Sequence, residues 1–79
     1  MYWIYAIRSY KDGRIYVGLS ANVDKRIKEH NSKQVFSTKG YCPWRLIFKE
    51  FVGDRKAARR REKYYKSGIG KEYLKQIPL

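Results

Sequence analysis

The chain has 79 residues, 43% of them apolar, and 19 Lys plus Arg against 7 Asp plus Glu leave a formal charge of +12. That length predicts one domain over residues 1–79 without a second core, and the apolar share argues against disorder. A lone cysteine, Cys42, excludes an internal disulfide framework and a cysteine zinc cluster, and no apolar run is long enough for a membrane helix.

In chain order, Tyr2 to Ser9 predicts a strand. Trp3, Tyr5 and Ile7 alternate with Tyr2, Ile4 and Ala6, so both faces are largely apolar and the strand is expected to be central. Lys11-Asp12-Gly13-Arg14 carries a hairpin signal. Arg14 to Leu19 is the expected return strand, with Ile15, Val17 and Leu19 on one face and Arg14, Tyr16 and Gly18 on the other. A two-residue Asp-Gly turn would leave Tyr5 and Tyr16 on one face but about four residues apart along it, and a shifted register is the alternative. Ser20 is the expected cap of a helix over Asn22 to His30, whose Arg26 and His30 are neighbours four apart. A polar, basic loop runs from Asn31 to Tyr41. Trp44 to Val52 predicts a third strand, with Leu46, Phe48 and Glu50 alternating against Arg45, Ile47, Lys49 and Phe51. Asp54 caps a helix over Arg55 to Lys66, stopped at Ser67-Gly68, and Lys71 to Gln76 predicts a short third helix. The order β-β-α-β-α-α describes an α+β fold, a small antiparallel sheet of three strands with helices beside it.

About one residue in four is cationic, and eight Tyr, three Phe and two Trp are interleaved with the charges. Phosphate polyanions are the natural partner, because binding releases their counterions and aromatic rings stack on bases. No helix has the broad apolar face of a membrane-surface binder, so no membrane partner is expected. The first eight residues lack the long apolar stretch of a signal peptide. A cytoplasmic location is therefore expected, with association to the nucleoid as one version of it.

The chain has no GxGxxG, P-loop or HExxH sequence. Its seven acids are scattered, which argues against a two-metal carboxylate cage. One acid stands apart: Glu62 lies within Arg59-Arg60-Arg61-Glu62-Lys63, and Ala58, Glu62 and Tyr65 share a helix stripe that faces the sheet. An ion pair with a neighbouring arginine is the ordinary role of such a glutamate, and spacing alone favours it. Tyr16 lies beside Gly18, which leaves room for a backbone or a ligand.

Trp3-Ile4-Tyr5, then Tyr16-Val17-Gly18, then Arg26 and His30 on one helix and Glu62 on a later one, resemble in order and spacing the GIY-YIG nuclease family. The resemblance covers nearly the whole chain and is nearest to small stand-alone members related to the GIY-YIG nuclease domain of the bacterial excision-repair enzyme. Phe36-Ser37-Thr38-Lys39, Pro43-Trp44 and Arg60-Arg61-Glu62-Lys63 add to it. It implies a three-stranded antiparallel sheet flanked by helices and an endonuclease that hydrolyses phosphodiester bonds in DNA, in repair or other processing, with one divalent ion. That ion is Mg²⁺, for which Mn²⁺ could substitute. It implies Tyr5, Tyr16, Arg26, His30 and Glu62 as the catalytic set, with Glu62 the metal ligand and Tyr16 the first choice of general base. Arg14, Lys39 and Arg61 are the expected phosphate contacts. DNA is expected over RNA, with specificity slight or supplied by a protein partner. The sequence departs from the pattern at Trp3, where the family name has glycine, and at Val17 for isoleucine. No asparagine follows Asn31, whereas many active members carry one after the glutamate. The alternative reading is a catalytically weak or inactive nucleic-acid-binding protein of the same fold.

Overall fold

The computed structural model describes residues 1–78. Its elements are β1 (Tyr2–Ser9), β2 (Ile15–Ser20), α1 (Val23–Asn31), a 3₁₀ turn (Lys39–Tyr41), β3 (Trp44–Gly53), α2 (Arg55–Lys66) and α3 (Gly68–Lys75). The three strands form one antiparallel sheet in the order β2-β1-β3. β1 is central, as its two apolar faces require. One face packs Ile4, Ala6 and Val17 against Ala58, Tyr65 and Leu74 of α2 and α3. The other packs Tyr5 and Ile7 against Val23 of α1 and Trp44. The single sheet is therefore sandwiched between helices.

The hairpin is longer than a two-residue turn. Ser9 N–H bonds to the Arg14 carbonyl at 2.9 Å, so Tyr10 to Gly13 form the loop. Gly13 takes φ +81°, a region open to glycine at little cost. The Ser9 hydroxyl, 4% exposed, accepts from Lys11 N–H at 3.0 Å and holds the loop closed. The register that results sets Tyr5 opposite Gly18 and Ile7 opposite Tyr16. This is the shifted register, and it brings the two tyrosines to diagonal neighbours on one face, with the Ala6–Val17 pair between them.

α1 begins one residue later than predicted, and its cap is Asn22, not Ser20. The Asn22 side chain accepts from Lys25 N–H at 3.1 Å. The Ser20 hydroxyl instead accepts from Asn22 N–H at 3.0 Å, bracing the turn before the helix. Asp54 caps α2 as expected, accepting from Ala57 N–H at 2.9 Å. α3 starts earlier than predicted, because Ser67 ends α2 and caps α3 with one side chain. Regular alternation along β3 fails where the pairing with β1 shifts between Ala6 and Ile7. Leu46 consequently faces α1, whereas Ile47 and Phe48 pack on the opposite face. A bulge of this kind interrupts the two-residue period and turns the strand.

Candidate active site

The site begins with a close approach that only glycine permits. Tyr5 is 1% exposed, and its ring lies across β2. A Cβ at Gly18 would stand 2.6 Å from the Tyr5 hydroxyl oxygen and 2.8 Å from Cζ. The room beside Tyr16 is thus filled by the phenol of Tyr5. That ring lies 6.5 Å from the Tyr16 ring, centroid to centroid.

α1 supplies two side chains to this phenol, and their spacing of four residues is the reason both reach it. His30 is fully buried, and its Nε2 lies 2.8 Å from the Tyr5 oxygen. Its Nδ1 lies 2.8 Å from Thr38 Oγ1. The Thr38 hydroxyl donates onward to the Val35 carbonyl at 3.4 Å. The direction of that chain fixes the tautomer: Nδ1 donates to Thr38, and Nε2 accepts the Tyr5 proton. Burial first, and the Arg26 charge second, push the His30 pKa down to about 4, so the ring is neutral at neutral pH. Its edge meets the Tyr16 ring at 5.0 Å.

Arg26 sits one turn earlier, paired with Glu29 at 2.9 Å and only 38% exposed. Burial pushes the Tyr5 pKa up to about 12, with Arg26 opposing and the Tyr16 and Glu62 charges adding to the rise. Tyr5 is therefore a neutral hydroxyl at neutral pH. Glu62 comes from the far side of the sheet. Ala58 and Tyr65 bury their stripe of α2 against that face, and Glu62 shares the stripe. β2 is an edge strand. The Glu62 carboxylate is 14% exposed and pairs with Lys66 at 3.2 Å and Arg59 at 3.5 Å.

The three expected phosphate contacts divide. Arg14 lies two residues before Tyr16 in the chain, bound to Asp12 at 2.7 Å and stacked 3.4 Å above the Tyr41 ring. Lys39 is exposed on the loop beside Thr38, its ammonium 4.8 Å from the Phe36 ring. Arg61 does not join them. Its guanidinium grips Glu50 through two bonds of 2.7 and 3.0 Å and donates to the Tyr65 hydroxyl at 2.8 Å. That fork belongs to the α2–β3 contact and holds the Glu50 carboxyl below its ordinary pKa. The helical period alone could not separate Arg61 from its neighbours, because its partner lies eleven residues away on another strand.

Thr38, Glu29 and Trp44 help build the site, although the sequence assigned none of them a role in it. Thr38 is 1% exposed and fixes His30, and its carbonyl accepts from the Trp44 indole N–H at 3.0 Å. Asn31 clamps the Trp44 backbone at 2.6 and 3.0 Å, tying the end of α1 to the start of β3. A threonine in a polar loop has no periodicity to announce it. Its place in Phe36-Ser37-Thr38-Lys39 is the one signal.

Among the described residues no three His, Cys, Asp or Glu side chains converge. Glu62 alone still fits a hard divalent ion. Mg²⁺ is commonly held by one or two carboxylates with phosphate and water completing the shell. The two cations now paired with Glu62 are long side chains about half exposed, free to swing toward water.

A sheet edge with two tyrosines, a helix arginine and histidine and a lone glutamate is the arrangement of a nuclease family. The GIY-YIG catalytic domain matches residues 1–74. A UPF0213 protein of Photorhabdus laumondii is 32% identical over 98% of this chain and 74% of its own length. One of Clostridium perfringens is 36% identical over 98% of this chain and 83% of its own length. The solution NMR structure of a UPF0213 protein from Bacillus halodurans superposes with a TM-score of 0.56, at 35% identity, over 94% of this chain and 82% of that one. The chain belongs to the GIY-YIG family, and within it to the UPF0213 proteins. Nucleases of this family generally use a divalent metal. No helix among the described residues is long and apolar enough to cross a membrane.

Proposed function

We propose that the protein is a divalent-metal-dependent endonuclease that hydrolyses phosphodiester bonds in DNA, with Mg²⁺ as its ion. The observation that carries this reading is the cluster of Tyr5, Tyr16 and His30, with ring centroids 5.0 to 6.5 Å apart, in a chain that matches the GIY-YIG catalytic domain over residues 1–74. A protein that only binds has no need of a half-buried lone acid within a run of arginines.

Hydrolysis needs a deprotonated water, a clamp for the phosphate and relief of charge on the departing oxygen. A bound Mg²⁺ supplies Lewis-acid stabilisation of the phosphate and leaving oxygens, and Glu62 would hold it. Arg26 is permanently charged, planar and anchored by Glu29, so it clamps the phosphate and offsets the charge that grows in the transition state. Tyr16, acting as its phenolate with its own proton released to solvent, would take the proton of the attacking water. Tyr5 is unsuited to be the base, because burial raises its pKa and lowers that of His30, so passing its proton to His30 runs steeply uphill. With its own proton committed to His30, the Tyr5 oxygen offers lone pairs that orient the water. His30, neutral and held between Thr38 and Tyr5, acts as a positioning residue. Arg14 and Lys39 contact flanking phosphates, and Arg61 takes no part.

The test compares the parent and Glu62→Ala on duplex, single-stranded, nicked and flapped DNA and on RNA, with Mg²⁺ or EDTA. The parent cuts DNA only with the metal. Glu62→Ala abolishes cutting and binds as tightly or more tightly, having lost a negative charge. Binding falls steeply with salt as counterion release loses its advantage. A Glu62→Ala protein that cuts like the parent refutes the metal assignment. A parent that binds with a steep salt dependence yet never cuts is the inactive binding protein, a reading favoured by the pairing of Glu62 with Arg59 and Lys66.

A further inference from the structure

Trp3 departs most from the family pattern, and the structure gives it surroundings that the catalytic reading leaves unused. β1–β3 pairing sets Trp3 opposite Phe51 and Tyr5 opposite Lys49. The Trp3 and Phe51 rings meet edge to face at 5.2 Å. The Lys49 ammonium stands 4.8 Å from the centre of the Trp3 ring. Phe51 is 51% exposed, an awkward surface to leave in water on a sheet. Against this group opens a cleft of about 180 Å³, lined by Trp3, Lys49 and residues Ala21 to Asp24 at the start of α1.

We propose that Trp3, Phe51 and Lys49 form a seat for one unpaired base of a bound nucleic-acid strand. The inference rests on the nucleic-acid reading and deepens it: the preferred substrate has unpaired nucleotides beside the linkage cut. Two aromatic rings supply a stacking surface that tolerates any base. Lys49 supplies charge for the adjoining phosphate, and it has no acidic partner among the described residues. Asp24 in the cleft is likewise unpaired among them, and its carboxylate accepts from the amino group of a base. The Asn22 oxygen is spent on the cap, which leaves its amide N–H groups to donate. The net charge of +12 favours a polyanion here and opposes a second copy of the chain. Trp3 is two residues from Tyr5 on one face, about 7 Å along the strand, so a single bound strand reaches both.

The chain's only other tryptophan, Trp44, is 4% exposed, so an added strand reports chiefly on Trp3. Labelled oligo-dT and a blunt hairpin duplex are titrated into the protein with EDTA, following label anisotropy and tryptophan emission together. Oligo-dT quenches the emission, and Trp3→Phe removes the quench. Phe51→Ala, folded by circular dichroism, weakens oligo-dT binding by about 5- to 100-fold, the range of one base–aromatic stack, and leaves duplex binding within about twofold. Salt-sensitive anisotropy without quenching, together with parent-like binding by Phe51→Ala, overturns the seat while the nucleic-acid reading stands. No binding of either probe overturns both.

Discussion

Acidification from neutral pH tests the buried hydrogen-bond chain through one side chain, because His30 is the only histidine in the sequence. Its pKa falls from 6.5 to about 4 in the folded protein, mainly through burial. Between those values the unfolded chain binds a proton that the folded chain refuses, so stability declines as pH falls. It is complete above about 6.5 and fully lost only near 4. The whole difference is about 3 kcal/mol at about 1.4 kcal/mol per pH unit, of which about 2 kcal/mol disappears between about pH 6.5 and 5. A domain of this size has roughly 4–12 kcal/mol in total. Thermal denaturation should therefore drop by about 8–16 °C over that interval. The depressed carboxyls of Glu50 and Asp12 do not confuse the reading. Their contributions are lost only below their ordinary values of 4.5 and 3.8. The assay is urea or thermal unfolding at several pH values for the parent and His30→Gln, whose amide does not titrate. The parent slopes and the variant is flatter. A parent flat from about pH 6.5 to 5, or a variant with the same slope, refutes the buried neutral imidazole.

Gly18→Ala drives a methyl against the Tyr5 hydroxyl, 2.6 Å from where its Cβ would stand. Overpacking of this kind costs about 1–3 kcal/mol, and displacing the phenol also breaks its bond to His30. Urea unfolding should record the loss and nuclease assays a larger fall in kcat; parent-like values for both would mean that the phenol does not lie over Gly18. Tyr16→Phe keeps the ring packed against His30 and deletes only the base, so kcat should fall about 10²- to 10⁴-fold with stability unchanged. Unchanged turnover would move the base role elsewhere.

The sequence by itself determined the elements and their order. The two-faced apolar pattern of Tyr2 to Ser9 placed β1 at the centre, and the Asp54 cap and Ser67-Gly68 stop bounded α2 to the residue. These signals are local, carried by alternation, capping and turn chemistry within a few residues. Where two local signals competed, one gave way. The Asp-Gly pair suggested a tight turn, but the Ser9 hydroxyl closes a longer loop, and Asn22 rather than Ser20 has the cap geometry. Tertiary structure alone decided that Tyr5 lies over Gly18, that Thr38 fixes the His30 tautomer, and that Arg61 is taken by Glu50. Each of those is a pairing between residues far apart in the chain. A periodic pattern tells which side of an element is buried, but not which distant side chain will be waiting there.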